Sequence, residues 1–151
     1  MPTDISHKLD EFIEAYLPTA KHMELSVEEY NHKTLQLSAP LGPSINDKQT
    51  AFGGSIYVVA VMSCWGMVYL RCVEAGMDPD IVVAKAEIEY LLPIEADIVA
   101  RTKTCDEVSW QLFFSNFEER GRGKIELQSE VIVKGKVAAR FRGVYAIIGL
   151  K

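Results

Sequence analysis

The sequence has no excess of positive charge: 16 Lys and Arg stand against 21 Asp and Glu, for a net charge of −5 and a pI near 5.2. Nucleic-acid binding needs a basic stripe to neutralise phosphates, so that class of partner is not expected, while a local anion site remains open. Cysteine is scarce, and the three present (Cys64, Cys72, Cys105) have no spacing suited to disulfides or zinc. They read as reduced core residues of a cytoplasmic protein. His7, His22 and His32 have no ligand spacing either, so no metal and no organic cofactor is expected. The N-terminal MPTDISHKLDEF mixes acids and bases where a signal peptide would need an apolar stretch. Repeats, low-complexity tracts and linker-like stretches are also missing, which implies a single domain over 1–151, with a helical segment at 1–23 and a core at 24–151.

The most informative absence is local. No charge occurs in the 22 positions between Lys48 and Arg71. The stretch 53–72, GGSIYVVAVMSCWGMVYLRC, is apolar on every side, and such a helix must be enclosed by protein or by lipid. Its length of roughly 30 Å would just cross a bilayer core. Gly53, Gly54, Ser55, Ser63 and Gly66 dilute it, and no basic cluster beside it signals topology, so protein is the expected enclosure and no membrane span is expected. With 48% hydrophobic residues, the chain can build one sizeable core.

Around this helix, Ile5, Leu9, Phe12, Ile13, Tyr16 and Leu17 recur at helical spacing, with Asp4 or Thr3 as cap and Pro18 as the end. Residues 24–39 read as two extended pieces, followed by a loop at 40–44. After the break at 76–80 the period changes from 3.6 to 2. Val82, Ala84, Ala86, Ile88 and Tyr90 then face one way, and Lys85, Glu87 and Glu89 the other. Residues 98–104 and 109–117 predict two more strands, and 118–123 a charged, glycine-rich loop. Ile125, Leu127, Ser129, Val131 and Val133 alternate with polar residues, and Lys134-Gly135-Lys136 turns the chain into a last strand at 137–148. One long buried helix in an otherwise β-rich α+β chain follows. Five or six antiparallel strands satisfy such a helix only if their sheet curls around it.

This order of elements resembles the hot-dog fold, in which a curled sheet wraps a central helix. Asn46 followed by Phe52-Gly53-Gly54 is similar to the loop-to-helix junction of hot-dog acyl-CoA thioesterases, and AEIEYLLP (86–93) to the strand that follows their helix. Residues 120–124 resemble a Gly-Arg loop near the coenzyme A phosphates, and NDKQTAFGGSIY with Trp65 and Gly66 is similar to the YiiD-type thioesterase domain. The resemblance spans about Thr34 to Ile148. It implies a thioester hydrolase acting on acyl-CoA or acyl-carrier protein, working as a homodimer or tetramer whose subunits pair edge to edge with the active site between them. A non-catalytic acyl-thioester-binding or assembly module is the alternative.

Thioester hydrolysis needs a donor for the developing oxyanion, a group to activate water and room for the acyl chain. Free N–H groups at the Gly53-Gly54 helix start can supply the first, unless these glycines only permit tight packing. Asp47 as base, or Asn46 holding water through its amide, can supply the second, and an Asx-turn would explain both residues equally. Ser63 is a third candidate, against a hydroxyl that merely bonds its own helical turn. Phe52, Ser55 and Tyr90 flank the junction as substrate-binding candidates. Arg120, Arg122 and Lys124 are candidates for the phosphates, against a solvated basic turn. From Gly53 through Val73 there is no Asp or Glu, so the helix carboxylate of one thioesterase group, and of hot-dog dehydratases, is missing.

Overall fold

The computed structural model describes residues 5–149, so the expected caps Thr3 and Asp4 lie outside the described residues. Helix α1 (Ser6–Tyr16) buries Leu9 and Ile13. Helix α1 ends just before Pro18, as expected, but the helical segment goes on. Pro18 opens a second short helix, α2 (Pro18–His22), because proline at a first helical position sacrifices only an N–H that would be unpaired anyway. Ala20 and Met23 pin α2 to the core.

Strands β1 (Ser26–Tyr30) and β2 (Leu35–Ala39) form the first hairpin, and a short 3-10 turn at Gly42–Ser44 leads to α3 (Gly53–Glu74). Strands β3 (Asp80–Tyr90) and β4 (Ile98–Thr102) come next. Helix α4 (Glu107–Arg120) precedes the long hairpin β5 (Arg122–Val133) and β6 (Lys136–Ile148). The six strands form one antiparallel sheet in the order β1-β2-β4-β5-β6-β3. It curls around α3, which packs against β2 through β6. This is a hot-dog fold, with six strands.

Residues 109–117 are not a strand, and 118–123 are not a loop. Both belong to α4 and its junction with β5. Trp110, Phe113 and Phe117 are the buried residues, at the spacing of one helix face. Asp106 accepts a hydrogen bond from the Ser109 N–H as N-cap, and Gly121 adopts φ 75° as the left-handed C-terminal residue. The aromatic content of SWQLFFSNF favours a strand locally, but the two caps and the buried face favour the helix. Gly123 then passes directly beneath α4, where an added Cβ would stand 2.4 Å from the Phe113 carbonyl oxygen.

The alternation expected along β3 is interrupted by a bulge between Val83 and Lys85. Val82 pairs with Ala146, whereas Ala86, Ile88 and Tyr90 pair with Gly143, Phe141 and Ala139, so Val82 does not share their face. As the outermost strand of the sheet, β3 also leaves Val82, Val83 and Tyr90 exposed. The enclosure of α3 is one-sided too. Val59, Ala60, Cys64, Met67, Val68 and Leu70 are buried, while Tyr57, Val58, Val61, Met62, Trp65 and Tyr69 form a half-covered stripe.

Candidate functional site: the start of the central helix

Helix α3 begins without a side-chain cap. Phe52, at the N-cap position, is extended and 58% exposed, and its carbonyl accepts the first helical bonds, from the Ser55 and Ile56 N–H groups at 2.9 and 3.0 Å. The Gly53 and Gly54 N–H groups precede those bonds and have no partner among the described residues. Two free donors at the positive end of a 22-residue helix form an anion-stabilising start. Tyr90, from the end of β3, donates its hydroxyl to the Gly53 carbonyl at 2.9 Å and fixes the helix to the sheet edge. Burial pushes the Tyr90 hydroxyl upward, with Tyr57 nearby adding to the shift.

Gly54 and Ser55 form part of the wall of an apolar groove of about 560 Å³ that also reaches Pro18, Thr19, His22 and Val58. A Cβ on Gly54 would fall 2.5 Å from the ring of Phe52, which is exposed and has space to turn away. Of the sequence candidates, Phe52, Gly53, Gly54, Ser55 and Tyr90 therefore meet at one place. His22 joins them from α2, and no local sequence signal marks it, because only the packing of α2 on the core brings it there.

Asn46 organises the approach to the helix. Its Oδ1 accepts from the N–H groups of Lys48 and Thr50 and from the Thr50 hydroxyl, and its Nδ2 donates to Thr50 Oγ1 at 3.0 Å. Both ends of the amide are thus engaged within the loop 46–51. Asp47 projects outward with 82% of its side chain exposed, and its Oδ1 accepts from Lys48 Nζ at 3.4 Å. Ser63 is wholly buried and donates its hydroxyl to the Ala60 carbonyl at 2.7 Å, the back-bond typical of a serine within a helix.

Arg120, Arg122 and Lys124 line one groove of about 570 Å³ together with Asn116, Gly123, Ala146 and Ile148. None of the three cations has an ion-pair partner among the described residues. The Gly121 N–H is not free for a ligand, since it donates to the Phe117 carbonyl at 2.8 Å. Within one chain this groove lies far from α3's start. Arg122 pairs with Ile148, Ile148 with Asp80, and the Tyr90 end of β3 is ten residues further on, or roughly 33 Å along the strand. No group of three His, Cys, Asp or Glu side chains suited to hold a metal occurs among the described residues.

A curled sheet around a long central helix is a fold that this chain shares with solved proteins described as thioesterases. Over residues 6–149 the chain matches, and belongs to, the family described as "Putative thioesterase (yiiD_Cterm)". Among solved structures, a protein of unknown function from Chlorobaculum tepidum TLS is similar at 40% identity and a TM-score of 0.91, covering 95% of this chain and 94% of that one. The "putative thioesterase" of Shewanella oneidensis is 30% identical at a TM-score of 0.86, covering 95% and 97%. A thioesterase from Haemophilus influenzae, 13% identical at a TM-score of 0.74 over 98% and 93%, shares the fold.

Proposed function

We propose that this protein hydrolyses acyl thioesters of coenzyme A or of acyl-carrier protein, with water attacking the carbonyl at the start of α3. The observation that carries this reading is the pair of unpartnered Gly53 and Gly54 N–H groups, with Gly54 in the wall of an apolar groove. The thioester carbonyl approaches where no Cβ intervenes. Its oxygen gains negative charge as water adds, and the amides and helix dipole stabilise that charge more than they stabilise the neutral ground state. The family's description and the names of the solved relatives support the same reaction class.

Edge-to-edge pairing of two chains through β3 completes the reading. The exposed edge with Val82 and Val83, and the half-covered stripe of α3, are apolar surfaces that a second copy would cover. In a twofold antiparallel pairing, the Asp80 end of the partner's β3 meets the Tyr90 end of the first chain's β3. The partner's basic groove then lies at the same end of the joint sheet as the Gly54 start, three strand spacings or about 14 Å across. That span suits a substrate whose phosphates sit on one subunit and whose thioester sits on the other. Sedimentation equilibrium at micromolar concentration should therefore find a dimer or a tetramer.

The absence of Asp and Glu from Gly53 through Val73 favours a second reading, a module that binds acyl thioesters without cleaving them. Thiol release across a series of acyl-CoA chain lengths separates the two. Hydrolysis that is lost in Gly54→Val supports the enzyme. Tight acyl-CoA binding without thiol release supports the module.

A further inference from the structure

We propose that His22 is the general base of this site and removes a proton from the attacking water. The inference rests on the thioester-hydrolysis reading and supplies the group which that reading lacks. Neither the Asn46 amide nor the Ser63 hydroxyl is free, and Asp47 projects to solvent.

The groove at the α3 start is lined by Gly54 and Ser55 of α3 and by Pro18, Thr19 and His22 of α2. Ser55 is 8% exposed, and its hydroxyl has no hydrogen-bond partner among the described residues. A hydroxyl without a protein partner that borders the groove is available to a water or a polar group that the groove receives. His22 lines the same groove, and its ring also has no hydrogen bond or ion pair among the described residues. Of the residues lining the groove it is the one able to take up a proton, and imidazole is the side chain best matched to proton transfer near neutral pH. Ala20 and Met23, both buried beside it, hold its helix in place. Apart from Thr19, the remaining wall is apolar, made by Pro18, Met23, Pro43, Phe52 and Val58, as the first carbons of an acyl chain require.

The chemistry closes without a co-reactant. The water oxygen bonds to the thioester carbon while His22 accepts a water proton, and the Gly54 N–H holds the oxyanion. As the tetrahedral intermediate collapses, the C–S bond breaks with its electron pair on sulfur. The thiolate takes the proton from His22 and leaves as thiol, and the acyl group departs as a carboxylic acid.

The test is steady-state hydrolysis of acyl-CoA by wild type, His22→Ala, His22→Gln, Gly54→Val and Lys21→Ala. Lys21 is exposed and paired with Glu14, outside the groove, and its variant should match wild type. Both His22 variants should lose turnover on the order of a hundredfold, with KM within about threefold and melting temperature unchanged. Added imidazole should restore part of the turnover of His22→Ala. If His22→Ala keeps wild-type turnover while Gly54→Val is inactive, the base assignment falls and the hydrolysis reading stands. Loss of turnover that imidazole does not relieve also overturns a proton-transfer role. A wild-type protein that cleaves no acyl-CoA or acyl-carrier-protein thioester overturns both.

Discussion

The two ends of α3 treat polar groups in opposite ways. At its last turns, Arg71 has 6% of its side chain exposed, and its guanidinium makes three hydrogen bonds. It donates to Glu107 Oε1 and Oε2 at 2.9 and 3.3 Å and to the His32 carbonyl at 3.1 Å, and it lies 4.4 Å from the Trp110 ring centroid. One turn on, the Glu74 carboxylate accepts the Tyr30 hydroxyl at 2.6 Å and meets His32 Nδ1 at 2.8 Å. Burial, with Glu74 beside it, pushes the Tyr30 hydroxyl strongly upward. At its first turn, two N–H groups have no partner, no side chain caps the helix, and Phe52 stands in solvent.

A buried cation without partners would cost several kcal/mol, so the Arg71 end has to be closed for the fold to exist. Unpaired amides that border solvent cost much less, because water or a ligand can satisfy them. One end of the helix therefore clamps α4 and the β1–β2 hairpin to the core. The other end keeps its donors available.

The sharpest way to break this contrast is at Gly54. Gly54→Val should fold, because its side chain displaces only the exposed Phe52 ring, and should lose on the order of a hundredfold or more in kcat. Wild-type turnover in a folded Gly54→Val protein would remove the oxyanion role from the open end. At the closed end, Arg71→Ala should cost about 3 kcal/mol in urea unfolding, while turnover per folded molecule stays the same. A loss of turnover without a loss of stability would show that the two ends are not separate in function.

Arg122→Ala is expected to raise KM for acyl-CoA several-fold with kcat unchanged, since an exposed phosphate contact contributes binding shared by ground and transition states. An unchanged KM would leave the basic groove without a part in substrate binding. A smaller effect should appear with pH. The Arg71 guanidinium holds the Glu107 carboxyl below its usual range. A lowered folded value means that this pair's stabilisation is present above the ordinary carboxylate range and is lost as pH falls through it to the lowered value. The difference in melting temperature between wild type and Glu107→Gln should therefore shrink on acidification, and a constant difference would contradict the pairing. Ser63→Val should change least. Its hydroxyl bonds its own helix at Ala60, so stability should move by less than about 1.5 kcal/mol and activity should persist.

Much of the frame can be read in the chain. The charge-free run contains most of α3, and the alternation from Ile125 to Val133 with its Gly135 turn defines the last hairpin, because burial periodicity is a local property of sequence. The helix α4 is legible only in part. Asp106, Ser109 and Gly121 are cap signals, but Trp110, Phe113, Phe114 and Phe117 also have strand propensity, and packing on Gly123 settles the conflict. Of the candidate site, the Phe52-Gly53-Gly54 start is visible as a motif. The placement of His22 beside it is not, since that depends on how α2 docks.

By itself, the sequence determined that a long apolar helix must be wrapped by strands, that it starts at two glycines, and that no carboxylate lies along it before Glu74. These are properties of residue type and spacing along one segment. Tertiary structure decided which polar groups are satisfied and which stay open. Arg71 finds Glu107 and Trp110, Asn46 spends its amide on its own loop, and His22 comes to line the groove at the α3 start. Except for the Asn46 loop, those outcomes depend on distant segments meeting at a particular register, which pairing of strands and docking of helices fixes and local propensity does not.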